Sequence, residues 1–357
     1  MKVVIAHEWL TSYAGSERVV EQMLEAFPGS PLLTTVMQPE RVPATLRGAR
    51  VSALNRIQLA REHHEWFIPL MPLPWRTLGR VDDDDVVISS SHACSKAVRV
   101  GPGVRHVSYC YTPMRYAWDF QQERGRFPAP ARGLIGAGMG GLRSWDRRSA
   151  ARVDSFIAIS TSVAERIKRH YGRDAQVIHP PVDTGFFTPG DGEREDFFMV
   201  SGRLVAYKEA PLVVEAFRGL DARLVVTGTG PLEAQLRKDA PANVEIRGHV
   251  SNDDLRALFR RARALIHMGN EDFGITMVEA IACGCPVIAY AEGGALDIVR
   301  PGVNGVLLEH SDIGSIRRAV QGDIPGDPAL MSGSVSHLGR ARFQEEIVEA
   351  LRWDASS

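Results

Sequence analysis

No stretch of this sequence approaches the ~20 consecutive apolar residues that a membrane-spanning helix needs. Charge of one sign is equally missing: 42 Lys and Arg stand against 43 Asp and Glu, for a net charge of −1. That balance leaves no bulk positive charge for neutralising nucleic-acid phosphates, so nucleic acid is not an expected partner. Cysteine is scarce. Only Cys94, Cys110, Cys283 and Cys285 occur, the last two spaced C-x-C with no accompanying histidine cluster. This usage fits reduced, partly buried thiols of a cytoplasmic protein better than a disulfide framework or a zinc site. The first residues, Met1-Lys2-Val3-Val4-Ile5-Ala6, lack the apolar core and the cleavage site of a signal peptide and read instead as a buried first strand.

What is present is ordinary globular composition, 44% hydrophobic and 24% charged over 357 residues, enough for two domains with sizeable cores. Short apolar runs alternate with amphipathic segments. Val3–Ala6, Val86–Ser89, His106–Tyr109 and Ser155–Ile159 read as strands buried on both faces, with a helix predicted over Ser16–Phe27. The pattern restarts near Phe197. Strands are expected at Phe197–Val200, Ala222–Thr227, Val244–Arg247, Ala264–His267 and Pro286–Ala289. Helices are expected at Ala210–Phe217, Pro231–Lys238, Asn252–Arg261 and Ile275–Ala282. Such alternation implies βαβ units and doubly wound parallel sheets. Pro180-Pro181 and Thr188-Pro189-Gly190 suggest a linker, with the boundary near 186–195. Ser332–Ser336 reads as a loop, followed by a closing helix over His337–Trp353. The expected domains are 1–185, 195–332 and a terminal helix within 333–357.

The segment richest in chemistry is Gly269–Ala280. It follows a strand and opens a helix, so Glu271 falls in the loop at the strand's carboxyl end and Glu279 in the second helical turn. Phe273, Gly274 and Ile275 form the turn into that helix, whose free N–H groups suit a diphosphate. Taken alone, two glutamates eight residues apart are a chance pair. Arg203 and Lys208 follow the strand Phe197–Val200, at the sheet edge where ligands bind in such folds. Arg can clamp a phosphate with two hydrogen bonds, and Lys acts as a point charge. Gly228 and Gly230, in Thr227-Gly228-Thr229-Gly230, allow close backbone approach but break the dinucleotide fingerprint, which disfavours NAD. His249 and Val250 end a further strand where a nucleobase can be flanked. Ordinary turns are the competing reading of both loops.

Together these elements resemble the retaining glycosyltransferases of family 4, of GT-B fold. The resemblance spans nearly the whole chain and is most specific in the E-x7-E motif from Glu271 to Glu279. It implies two Rossmann-like α/β domains facing across a cleft, the first on the acceptor side and the second on the donor side. The C-terminal helix is then expected to cross back to the N-terminal domain. It also implies that Arg203 and Lys208 hold the donor diphosphate, Glu271 lies beside the donor sugar and Glu279 binds the ribose. Gly15, in Tyr13-Ala14-Gly15-Ser16-Glu17, matches the second glycine of the family's phosphate loop, and His92 the histidine near the reacting carbon. The stretches Tyr109–Asp119 and Val177–Asp183 look like a branch rich in mannosyltransferases. That makes GDP-mannose the leading donor, with a glycan, lipid-linked or small-molecule acceptor, and makes Arg115, Tyr116 and Trp118 candidate acceptor residues. Two positions depart from the pattern: Ala14 replaces a glycine, and Glu209 stands where a small residue or glycine is usual.

No metal or other cofactor is expected. The run Asp82-Asp83-Asp84-Asp85 precedes a strand instead of ending one and reads as a solvated turn, and basic side chains with a helix N-terminus are expected to neutralise the leaving diphosphate. Arg143, Arg147, Arg148 and Arg152 cluster in Leu142–Val153, which reads equally as a solvated helix face or as a peripheral contact with the inner face of the plasma membrane. The alternatives to a transferase are a UDP-sugar enzyme of the same fold and a catalytically inactive GT-B partner protein.

Overall fold

The structure is a computed structural model that describes residues 1–70, 72–119 and 132–352. The chain divides into two compact units, Met1–Pro181 with Phe343–Ser357, and Val182–Arg342. No helix among the described residues is long and apolar enough to cross a membrane.

The first unit is built on β1 (Val3–His7), β2 (Leu32–Thr34), β3 (Arg50–Val51), β4 (Arg80–Val81), β5 (Val86–Ser91), β6 (Arg99–Val100), β7 (Arg105–Cys110), β8 (Ser155–Ala158) and β9 (Ala175–Val177). Seven of these form a sheet in the order β3-β2-β1-β5-β7-β8-β9, while β4 and β6 pair apart. Every pairing is parallel. The chain runs outward from β1 to β3 and then returns to the other side of β1, so the switch point lies between β1 and β5. The inner strands carry buried residues at successive positions, as the sequence pattern requires of strands covered on both faces. The carboxyl end of β5 is buried yet polar, and each hydroxyl there has a partner. Ser89 Oγ lies 2.9 Å from His106 Nε2, Ser90 Oγ 3.0 Å from His7 Nδ1, and Ser91 Oγ 3.2 Å from Glu8 Oε1.

The second unit carries β10 (Phe197–Ser201), β11 (Arg223–Thr227), β12 (Val244–Gly248), β13 (Ala264–His267), β14 (Val287–Tyr290) and β15 (Gly305–Leu308). They form one sheet in the order β12-β11-β10-β13-β14-β15, again parallel throughout. Its switch point lies between β10 and β13. Ligands of doubly wound sheets bind at such reversals, outside the strands' carboxyl ends.

The stretch that reads as a linker lies on the second unit. Phe187 is buried, the Arg256 guanidinium sits 4.2 Å from the Phe186 ring centroid, and Arg260 Nε donates to the Thr188 carbonyl at 2.7 Å.

One expectation is corrected. Ser332–Ser336 is not a loop: Pro328–Val335 is a helix, followed by a 3-10 turn at Ser336–Leu338. Asp327 caps it through the Ala329 and Leu330 amides, Pro328 pre-sets the first turn, and Met331 and Val335 are buried one turn apart. The closing helix runs Arg340–Arg352, and Trp353 lies outside the described residues. Its Phe343, Ile347 and Leu351 are buried. The Phe343 ring meets Tyr109 edge-on at 5.7 Å, and Arg105 donates to the Leu351 carbonyl at 2.9 Å, both within the first unit.

Candidate active site

In the second unit the switch point gathers the charged candidates. Lys208 ends a short 3-10 turn after β10, and its Nζ lies 2.7 Å from Glu271 Oε1 in the loop after β13. The side chains of this pair are 17% and 18% exposed, so solvent reaches it. Glycines make the approach possible. A Cβ at Gly269 would come within 2.9 Å of both Lys208 Cα and the Tyr207 carbonyl, and one at Gly202 would come within 2.9 Å of Lys208 Nζ. His267, buried at the end of β13, places Nε2 3.4 Å from the same Glu271 oxygen. Burial lowers its pKa, the Lys208 charge lowers it further, and Glu271 only partly opposes them. Arg203 is exposed beside this cluster in sequence.

The helix Ile275–Ala282 starts one turn beyond Glu271. Its N-cap is Gly274, in the left-handed region at φ 98°, which has no side chain of its own to cap the first amides. The first N–H groups of the helix point toward the loop that carries Glu271. Phe273 anchors the turn by burial, and Glu279 is buried in the second turn. His249, exposed, and Val250 follow β12 at the edge of the sheet.

Gly228 and Gly230 have a structural necessity of their own. A Cβ at Gly228 would strike the Gly202 carbonyl, and one at Gly230 the Leu204 carbonyl. These glycines let the loops after β10 and β11 stack on each other. Sequence reasoning missed an equivalent pair after β14. A Cβ at Gly293 would strike the Glu271 carbonyl, one at Gly294 would strike Phe273, and the Gly294 amide donates to the Glu271 carbonyl at 2.9 Å. The signal that could have found them was adjacent glycines directly after a strand.

In the first unit the candidates also lie at the switch point. Gly15 opens the helix Gly15–Ala26 after β1. Glu17 reaches back to the Ala14 amide at 3.0 Å and to Ser16 Oγ at 3.0 Å, and its Oε1 is 3.7 Å from His7 Nε2. Burial would raise the Glu17 pKa, but the hydrogen bond and charge of His7 hold it below the ordinary carboxylate range. His92, half-buried, stands in the loop after β5, with the Trp9 ring edge-on at 4.8 Å and the Tyr111 ring at 6.1 Å.

The residues read as acceptor contacts are drawn into packing. Tyr116 is buried. Trp118 stacks on His170 at 4.2 Å, lies 4.8 Å from the Arg147 guanidinium, and donates Nε1–H to Asp146 Oδ2 at 2.8 Å. Arg115 is half-buried beside them. The arginine cluster is partly committed as well, since Arg143 Nε donates to the Ala117 carbonyl at 2.8 Å and Arg147 Nε to the His170 carbonyl at 3.2 Å. In the aspartate run, Asp82 pairs with Arg80 at 2.6 Å and Asp85 accepts from the Lys2 amide at 2.7 Å. The four cysteines are buried and free, and burial raises Cys283 and Cys285 to about 12.

Comparison with known proteins agrees with this architecture. Residues 13–186 match the family model Glycosyltransferase Family 4, and residues 183–322 match Glycosyl transferases group 1. A D-inositol 3-phosphate glycosyltransferase of Geodermatophilus obscurus is 30% identical over 244 residues, covering 57% of this chain and 52% of that protein. The D-rhamnosyltransferase WbpZ of Pseudomonas aeruginosa is 29% identical over 197 residues, covering 50% of each. The chain thus spans about half the length of the curated relatives it matches. Among solved structures, Anabaena HepE in complex with UDP and glucose superposes with a TM-score of 0.68 at 15% identity over 99% of both chains. Sucrose-phosphate synthase from Thermosynechococcus elongatus superposes at 0.67 and 15% identity over 100% of both. At that identity the likeness is one of fold, two Rossmann-like units of GT-B type.

Proposed function

Because the chain joins a Glycosyltransferase Family 4 domain to a Glycosyl transferases group 1 domain on a GT-B fold, we propose that it is a retaining, metal-independent hexosyltransferase using a nucleotide-sugar donor. The observation that carries this reading is the Lys208–Glu271 pair at the second sheet's switch point, one turn before the N-terminus of the helix Ile275–Ala282. A cation, a carboxylate and a helix N-terminus are what a sugar diphosphate needs. Lys208 pairs with Glu271 at 2.7 Å. On donor binding Lys208 turns to the diphosphate with Arg203, and Glu271 is released to accept from sugar hydroxyls. Glu279 takes the ribose hydroxyls.

The chemistry is electrostatic. The bond from the anomeric carbon to the diphosphate oxygen breaks through an oxocarbenium-like state, while Lys208, Arg203 and the helix amides stabilise the growing negative charge. The acceptor oxygen bonds to the same face, and its proton passes to the leaving phosphate. By its resemblance to the family's histidine, His92 is the candidate to act on the donor sugar. The acceptor is a glycan, a lipid-linked sugar or a small molecule, and in the lipid-linked case work at a membrane surface is tested by liposome flotation.

GDP-mannose is the first donor to test. The inositol-phosphate and rhamnosyl transferases among the relatives broaden the sugars and acceptors to test, and the UDP and glucose bound to HepE put UDP-glucose beside GDP-mannose. Thermal shift with GDP, UDP, ADP and dTDP, with and without EDTA, tests the reading, because a ligand that binds only the folded state raises apparent stability. A rise with one nucleotide, untouched by EDTA, is expected. No rise with any would favour a non-catalytic partner, and an inverted anomeric product would overturn same-face attack.

A further inference from the structure

Glu8 follows β1 directly and is 1% exposed, a fully buried carboxylate that the mechanism above does not use. It has no salt-bridge partner of its own among the described residues. Its neighbours are the loop that carries His92. Oε1 accepts from Ser91 Oγ and the His92 amide at 3.2 Å each, from the Ala93 amide at 2.8 Å and from the Ser95 amide at 2.9 Å, while Oε2 accepts from the Cys94 amide at 2.8 Å. One carboxylate thus gathers every backbone N–H from residue 92 to 95. Burial would raise its pKa, but the His92 charge, these amide bonds and Lys96 outweigh burial and keep it ionised.

The other face of the loop is fixed by a second buried charge. Lys96 Nζ donates to the Ala93 carbonyl at 2.7 Å and pairs with Asp146 at 2.6 Å. The residue after Glu8, Trp9, sets its ring edge-on to the His92 imidazole. Glu8 therefore fixes the backbone of the His92 loop while its chain neighbour fixes the ring.

We propose that Glu8 is a positioning residue for His92: its buried carboxylate, by collecting the Ser91–Ser95 donors, sets where the imidazole stands. The proposal rests on the transferase reading, in which His92 acts on the donor sugar. A Gln side chain of the same shape offers one acceptor oxygen and turns an NH2 group toward N–H donors, so Glu8→Gln loosens the loop without emptying the core.

The test is a double-mutant cycle of Glu8→Gln and His92→Ala in the full chain. Turnover is followed as nucleoside diphosphate release from GDP-mannose, and from UDP-glucose in parallel, without added acceptor. Amide hydrogen exchange is followed across residues 91–95. Glu8→Gln is expected to lower kcat roughly tenfold or more with KM changed less than about threefold, because a small misplacement of a reacting group acts on the transition state. Exchange at Ala93, Cys94 and Ser95 is expected to quicken while β1 and β5 stay protected. The double variant is expected to be no slower than His92→Ala alone, since Glu8 works only through His92. Multiplying effects, or unchanged kcat with a quickened loop, would overturn the proposal. If Glu8→Gln does not fold, Glu8→Asp enters the same cycle and is judged by the same outcomes. A wild-type chain that neither binds nucleotide nor turns over either donor would sink the transferase reading and the catalytic half of the proposal. The exchange data would then decide the loop-anchoring half alone.

Discussion

The two units use charge in opposite ways. In the first, the ionised groups around the His92 loop are sealed inside. Lys96 and Asp146 are 1% and 0% exposed, and Asp146 also accepts from Trp118 Nε1 and from Tyr171 OH at 2.8 Å each. In the second, Lys208 and Glu271 are 17% and 18% exposed and pair with each other at 2.7 Å. A buried charge with every partner filled has no capacity left for a ligand and serves geometry. A partly open pair can exchange its contact for a substrate. Burial and saturation together, not charge alone, separate the proposed positioning groups from the proposed ligand groups.

The comparison breaks most visibly if the sealed pair is cut. Lys96→Met leaves Asp146 buried without its cation, and removing one partner of a buried pair costs about 3–5 kcal/mol. Urea unfolding of the variant is expected to show that loss. A change under about 1 kcal/mol would mean the pair is replaceable and that saturation does not mark structural charge here.

Lys208→Ala is the matching cut in the second unit, and its expected effect falls on binding. Affinity for the nucleoside diphosphate that stabilises the wild-type chain should weaken about 10–100-fold, or about 1.4–2.8 kcal/mol, for a lost charge-assisted contact. Stability should change by about 1 kcal/mol or less. Calorimetric titration and thermal melts read the two effects separately, and intact nucleotide affinity in the variant would remove Lys208 from the donor site.

Much of this contrast could be read from the chain, and the unread part has a physical reason. Strands such as Ala264–His267 and helices such as Ala210–Phe217 and Ile275–Ala282 fall where apolar runs and periodicity put them. Buried parallel strands write themselves as continuous apolar runs. Strands of two or three residues, such as Arg50–Val51 and Ala175–Val177, carry too few residues for a pattern. In the site, Lys208 and Glu271 were legible because each follows a strand, although their pairing was not, because it depends on Gly269 allowing two loops to touch. Glu8 was passed over since its partners lie more than 80 residues away in sequence, and they are amides, which every residue has. The helix Pro328–Val335 was hidden by its Ser and Gly content. Its capping Asp327 and its buried pair, Met331 and Val335, were the overlooked signal.

Acidification sharpens the comparison at intermediate size. Burial, with the charges of Arg152 and Lys96, lowers the His106 pKa to about 3, while an unfolded histidine titrates near its ordinary 6.5. Between these values the unfolded state binds the extra proton, so stability is full above 6.5 and falls as pH drops toward 3, by about 1.4 kcal/mol per unit at most. His267 of the second unit is shifted in the same direction. Glu8 and Glu17, whose pKa values are depressed, lose their contribution only below the ordinary carboxylate value of 4.5. His106→Asn should therefore flatten the fall of Tm between pH 6.5 and 4.5 without abolishing it. An unaltered slope would assign the window to other groups.

The smallest expected effect concerns a charge that fits neither category. Glu209 is exposed, adjoins Lys208, and at φ 55° is the one non-glycine residue in the left-handed region among the described residues. For an L-residue that conformation costs about 1–2 kcal/mol, of which glycine would recover a part after its own entropy cost. Glu209→Gly is expected to stabilise the chain by about 0.5–1 kcal/mol, a rise in Tm of about 1–4 °C for a unit of this size. It also removes a negative charge next to the residue that is to hold a diphosphate, so nucleotide affinity should rise a fewfold rather than fall. A lower Tm together with weaker nucleotide binding would mean that the Glu209 carboxylate makes a contact worth more than its backbone strain. It would then belong with the positioning charges of the first unit, and exposure alone would no longer separate the two classes.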